Sequence, residues 1–130
     1  MKNEIKDLTK YKEFYKSFKA EYCPVLDEVV YFTGSGFHHL LYESNRVPRT
    51  DSEINFKLRY LEYVPEVVRN AKSLYSEKRF EREKRGTIQR ITFYAIIHKF
   101  SDTLAIKVVL GRSGCGKLKF VSVMPHKTRF

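Results

Sequence analysis

The sequence predicts an α+β fold, with N-terminal helices packed in two layers on a C-terminal antiparallel sheet of about four strands. Two observations carry this. Apolar residues recur at three- and four-residue steps up to about residue 70, then alternate from Ser73 onward. The alternating segments are separated by turns too short for anything but antiparallel neighbours. At 130 residues the chain reads as one domain, 1–130: an N-terminal helix (1–22), short helices (23–72) and a sheet (73–125).

A third observation concerns charge. The net charge is +10, and it is segregated: residues 1–30 and 31–70 are each balanced, whereas residues 71–130 hold fourteen basic side chains against four acidic ones. Such an excess on the sheet half marks a surface for a polyanion, of which nucleic acid is the commonest. Hydrophobic residues make up 42%, so the composition supports a core. No apolar run has the length to span a bilayer, and the N-terminus shows no secretory pattern. Cys23 and Cys115 have no metal-ligand spacing and read as reduced thiols, which places the chain in the cytoplasm.

Residues 4–22 present Ile5, Leu8, Tyr11, Tyr15, Phe18 and Tyr22 on one helical face, with Cys23-Pro24 ending the helix. Glu28–Thr33 is a short strand, and Gly34 and Gly36 turn it into the next helix. There Phe37, Leu40 and Leu41 point inward. At roughly 100° per residue His39 lies opposite them and His38 on the flank. Asn45–Arg49 is a loop. Thr50 and Glu53 form a capping box for a helix whose core face is Ile54, Leu58 and Leu61. Val64-Pro65 opens a further short helix that Asn70 ends.

Ser73–Glu83 is a basic strand at an edge, and Lys84-Arg85-Gly86 a turn. Ile88–Lys99 places Ile91, Phe93, Ala95 and Ile97 on one face and Arg90, Thr92, Tyr94, Ile96 and His98 on the other. In Thr103–Leu110 the residues Leu104, Ile106, Val108 and Leu110 align opposite Lys107. Lys117–Met124 is the last strand, where Ser122 shares a face with Leu118, Phe120 and Met124. Gly111–Lys117 matches the spacing of a phosphate-binding loop. Leu118 stands where that motif needs a hydroxyl, and an alternating strand follows where it needs a helix, so the glycines read as a hairpin turn.

Metal-binding and serine-nucleophile patterns are absent. What remains is a histidine pair followed by arginines, the inventory for metal-free RNA cleavage without a cofactor. A base takes the ribose 2′-OH proton, an acid protonates the leaving 5′-oxygen, and cations hold the phosphate. Tyr75, Tyr94 and His98 are candidates for stacking on bases. Two ordinary solvated histidines on a short helix also account for His38 and His39, and Lys107, Arg59 and Ser122 each have a purely structural reading.

The segments Cys23–Leu26, Val30–Thr33, Gly36–Tyr42, Arg46–Arg49, Arg59–Leu61 and Lys119–Met124 resemble phage-type nucleases of the barnase–EndoU–colicin–RelE superfamily. The resemblance implies a helical front on a four-stranded antiparallel sheet, and a metal-independent endoribonuclease such as a tRNA-directed toxin or phage effector. It places the catalytic histidine at His39, with His38 beside it, and a hydroxyl at Ser122. Basic residues come from Arg46, Arg49, Arg59 and Lys107. Glu43 stands where the family carries a basic residue. The implied partners are RNA and an acidic antitoxin or immunity protein, with no membrane. The alternative is a basic RNA-binding domain without catalysis, for which the charge alone suffices.

Overall fold

The computed structural model of the chain describes residues 8–44 and 47–127, with the backbone alone for Glu43 and Ser44. It shows an α+β fold: four α-helices among the described residues and a six-stranded mixed sheet. Among the described residues no helix is long and apolar enough to cross a membrane.

Helix α1 (Leu8–Lys16) ends earlier than its periodicity suggests; Ile5 lies outside the described residues. Ser17 N–H turns back to the Glu13 and Phe14 carbonyls, and the chain then leaves the helix. Residues Glu21–Cys23 form strand β1, which pairs antiparallel with β2 (Glu28–Tyr31) across a turn at Pro24–Asp27. Strand pairing thus overrides helical spacing. Tyr22, expected on the core face of a helix, is half exposed and donates its hydroxyl to the Asp27 carboxylate.

After β2 come α2 (Gly34–Leu41), the two-stranded ribbon β3 (Tyr42–Ser44) and β4 (Val47–Pro48), and α3 (Asp51–Arg59). The ribbon replaces part of the expected loop. The capping box is present: Glu53 N–H donates to Thr50 Oγ1 at 3.2 Å, and Thr50 N–H to Glu53 Oε1 at 3.1 Å. A 3₁₀ turn (Leu61–Tyr63) leads into α4 (Val64–Asn70), with Pro65 in its first turn.

The C-terminal half is the expected antiparallel meander of β5 (Leu74–Lys84), β6 (Thr87–Lys99), β7 (Ala105–Ser113) and β8 (Leu118–His126). Arg85 and Gly86, both at positive φ, make the tight β5–β6 turn, and β5 is the sheet edge. Gly111–Lys117 runs from the end of β7 through a turn into β8, so no helix follows the glycines and the hairpin reading holds. The sheet is larger than expected and not purely antiparallel. Its order is β1-β2-β8-β7-β6-β5, and β2 runs parallel to β8 through Val30↔Leu118 and Tyr31↔Lys119. A parallel partner so far away in sequence leaves no local turn signal.

The core lies between the helices and the sheet face that carries Ile96, Ile106, Val108, Leu110, Leu118 and Phe120. Ile91 and Ala95, on the opposite face, lie outside that cluster. The register slips between Val109 and Leu110, which oppose Ser122 and Phe120 and leave Val121 as an extra residue in β8. Such a bulge breaks the strand's alternation. Phe120 and Val123 are therefore both buried, at 1% and 0% exposed, and Ser122 does not follow the simple face assignment that its spacing implies.

Candidate active site

Helix α2 sets the site. Its close seat on β8 depends on Gly36: a Cβ there would lie 2.6 Å from Tyr15 Oη and 2.7 Å from the Phe120 carbonyl oxygen. Tyr15 Oη donates to the Thr33 carbonyl at 2.6 Å and clamps the start of the helix. Phe37 and Leu40 point into the core, and His39 faces outward as the spacing requires; His38, expected on the flank, is exposed as well. Gly34 meets nothing within 4 Å, so only the second glycine is demanded by packing.

The two histidines have different surroundings. His38 stacks on Tyr42, one turn along, with centroids 4.3 Å apart and rings 15° from parallel. His39 has its pKa held below the ordinary histidine value, first by partial burial and then by the neighbouring His38 and Arg49 charges. Neutral pH therefore leaves its imidazole free to accept a proton. The backbone carbonyl of His39 accepts from Arg49 Nε at 3.0 Å, and Arg49 N–H in turn donates to the Leu41 carbonyl at 2.8 Å. These two bonds tie the segment before α3 to the end of α2. Arg49 Nη1 lies 3.9 Å from Glu53 Oε2, and the Thr50 hydrogen bonds, with help from Arg49 and Lys57, hold the Glu53 carboxyl below the usual range.

One turn further along α3, Lys57 Nζ donates to Ser122 Oγ at 3.1 Å. Burial, followed by the Arg49 charge, lowers the Lys57 pKa, so its ammonium is more acidic than a free lysine's. The structure thus gathers His39, Arg49, Lys57 and Ser122 around one stretch of β8. Three of these are legible in the sequence. Lys57 is not among the sequence candidates, and its signal is its place between the core residues Ile54 and Leu58, which draws a long side chain inward.

The other sequence candidates lie elsewhere. Arg59, two residues past Lys57 and so about 200° round the helix, is exposed and has no ion pair among the described residues. Lys107 sits over the Tyr75 ring, with Nζ 5.4 Å from the centroid, and Tyr75 in turn meets His126 at 5.0 Å. Arg46 lies outside the described residues. Among the described residues no three His, Cys, Asp or Glu side chains group as a metal set.

His39 also lines a groove of about 460 Å³ on the sheet face opposite the core, with Phe80, Arg82, Lys84, Lys117 and Lys119. Arg112 also lines the groove and is paired with Glu28 at 2.8 Å, whereas Arg82, Lys84, Lys117 and Lys119 have no carboxylate partner among the described residues; Arg82 bonds Gln89, and Lys117 sits over Tyr31 at 4.8 Å. A second hollow, which shares Phe80 and Arg112 with the first, has its other arginines paired. There Arg90 is paired with Glu81 at 3.8 Å and Arg79 with Glu77. Four cations without a carboxylate partner among the described residues, Arg82, Lys84, Lys117 and Lys119, therefore collect in the groove beside His39.

No family model matches the chain, and no curated protein or solved structure matches it either. Its function has to be read from this geometry.

Proposed function

We propose that the chain is a metal-independent endoribonuclease that cleaves RNA by 2′-OH transesterification. The observation that carries this is the placement of His39, an imidazole kept neutral at pH 7, on the wall of a groove where Arg82, Lys84, Lys117 and Lys119 have no carboxylate partner among the described residues. His39 removes the 2′-OH proton, O2′ bonds to phosphorus, and the 5′-oxygen leaves with a proton. Lys57, with its lowered pKa and its bond to Ser122, is the proton donor. Arg49 offers a planar fork to the phosphate as negative charge builds on it. The resemblance to phage-type nucleases of the barnase–EndoU–colicin–RelE superfamily supports the same reading of His39 and Ser122. In this reading the partners are RNA, with tRNA the first substrate to try, and an acidic inhibitor protein, and the setting is the cytoplasm.

The test is incubation of purified protein with tRNA and bulk RNA in EDTA. Wild type is expected to cut and His39→Ala to be slower by about 10²- to 10⁴-fold, the usual contribution of general acid–base catalysis. Equal cutting by the two proteins contradicts the role of His39. A second reading, RNA binding without catalysis, draws on the same unpaired cations and predicts salt-sensitive binding with the RNA left intact.

A further inference from the structure

We propose that Phe80 is a base-stacking platform that holds an unpaired nucleotide of the RNA strand in the groove beside His39, and so restricts the substrate to single-stranded RNA. This rests on the nucleolytic reading for its substrate but not for its test.

The argument starts from the edge strand. β5 is exposed along nearly its whole length, and from Glu77 to Lys84 every side chain except Phe80 is charged. Charge is how an edge strand is kept soluble. A phenylalanine at 46% exposure within that run belongs to no core cluster, so packing does not explain it. Directly opposed residues in antiparallel strands share a face. The register sets Phe80 against Ile91 and Lys78 against Phe93, then Phe93 against Gly111 and Gly111 against Lys119. Phe80 therefore stands on the open face with the groove cations.

Its ring is supported from below. Phe80 and Phe93 lie 5.5 Å apart at 48°. Phe93 itself covers Gly111, where a Cβ would come within 2.8 Å of the Phe93 ring. Gly111, Phe93 and Phe80 thus step upward from the sheet, and the last ring keeps an open side in the groove. Arg82 and Lys84 follow on the same strand, and Lys117, Lys119 and His39 line the groove with them.

A solvent-exposed aromatic ring set among lysines and arginines is the arrangement that single-stranded nucleic acid uses, since a base stacks on the ring while cations track the phosphates. A duplex keeps its bases stacked inside and offers the ring nothing. Three strand spacings separate β5 from β8, roughly 14 Å. The base on Phe80 is therefore a neighbour of the bond cut at His39, not the nucleotide that supplies the 2′-OH.

The chain contains no tryptophan. Phe80→Trp thus installs a lone indole whose fluorescence reports stacking. The probes are 2′-O-methyl RNA oligomers, single-stranded and duplex, which cannot be cut by attack of O2′. Single strands are expected to quench the indole and to bind more tightly than duplex. Phe80→Ala should weaken single-strand binding about 10-fold without changing duplex binding, and Phe80→Tyr should retain it. The proposal is overturned if Phe80→Ala binds single strands like wild type, or if it loses both forms equally. It is also overturned if an acidic, apolar peptide quenches the indole and single strands do not, since the groove then serves a protein. Quenching in a protein that cuts no RNA leaves this inference standing and removes the nuclease reading. Cleavage unaffected by Phe80→Ala does the reverse.

Discussion

Replacing Gly36 with alanine puts a methyl carbon 2.7 Å from the Phe120 carbonyl oxygen and 2.6 Å from Tyr15 Oη. The carbonyl is main chain in a paired strand and cannot yield. Ordinary van der Waals contact begins near 3.4 Å, so α2 must retreat from β8 by about 0.7 Å. Overpacking of this kind costs about 1–3 kcal/mol. Displacing Tyr15 also weakens its 2.6 Å bond to the Thr33 carbonyl, worth about 1 kcal/mol. Better helix propensity returns about 1 kcal/mol. The net expectation is a loss of about 1–3 kcal/mol. With a urea slope of about 2 kcal/mol/M, the unfolding midpoint falls by about 0.5–1.5 M. Gly34→Ala is the control, because nothing lies within 4 Å of its Cβ and its φ is not positive. It should unfold at or slightly above the wild-type midpoint. Since His39 rides on α2, Gly36→Ala should also lose RNA cleavage beyond its unfolded fraction. Equal midpoints for the two variants would refute the claim that close packing at Gly36 aims the histidine helix.

Three further outcomes follow from the site. The His39 imidazole should titrate by NMR below 6.5, and Arg49→Ala should move it upward by removing a positive neighbour. Because the unfolded chain then binds that proton more readily than the folded one, stability is full above about pH 6.5, where the unfolded histidine titrates, and falls as pH drops toward the folded pKa. Lys57→Met should slow cleavage while keeping RNA affinity within about threefold, whereas equal losses in rate and binding would make Lys57 only a phosphate ligand. Combining Lys84→Ala, Lys117→Ala and Lys119→Ala should lower the salt slope of single-strand binding by about 2, at about 0.7 for each phosphate no longer neutralised. An unchanged slope would place the RNA elsewhere.

The sequence exposes what local rules govern. The capping box of α3, the proline start of α4 and the alternating strands β5–β8 each carry their own signal, and each is present. It fails where distant partners decide. Tyr22 has helical spacing after Phe18, but pairing of Cys23 with Glu28 makes the segment a strand. The junction of β2 with β8 joins residues nearly ninety positions apart and leaves no trace in either strand. At the site the same division holds. The outward face of α2 points to His39, whereas the bulge at Val121 spoils the face assigned to Ser122. Phe80 looks like one more residue of a charged strand until the register places it above Phe93 and Gly111.

The central claim is attack by the ribose 2′-oxygen, with His39 as base. The most direct measurement maps a cleavage site in EDTA, then repeats the digestion on the same RNA with a single 2′-deoxy nucleotide 5′ of the cut bond. The expected result is a 2′,3′-cyclic phosphate end on the all-ribose strand and no cut at that bond in the substituted one. Cleavage of the deoxy-substituted bond at the wild-type rate would contradict the account.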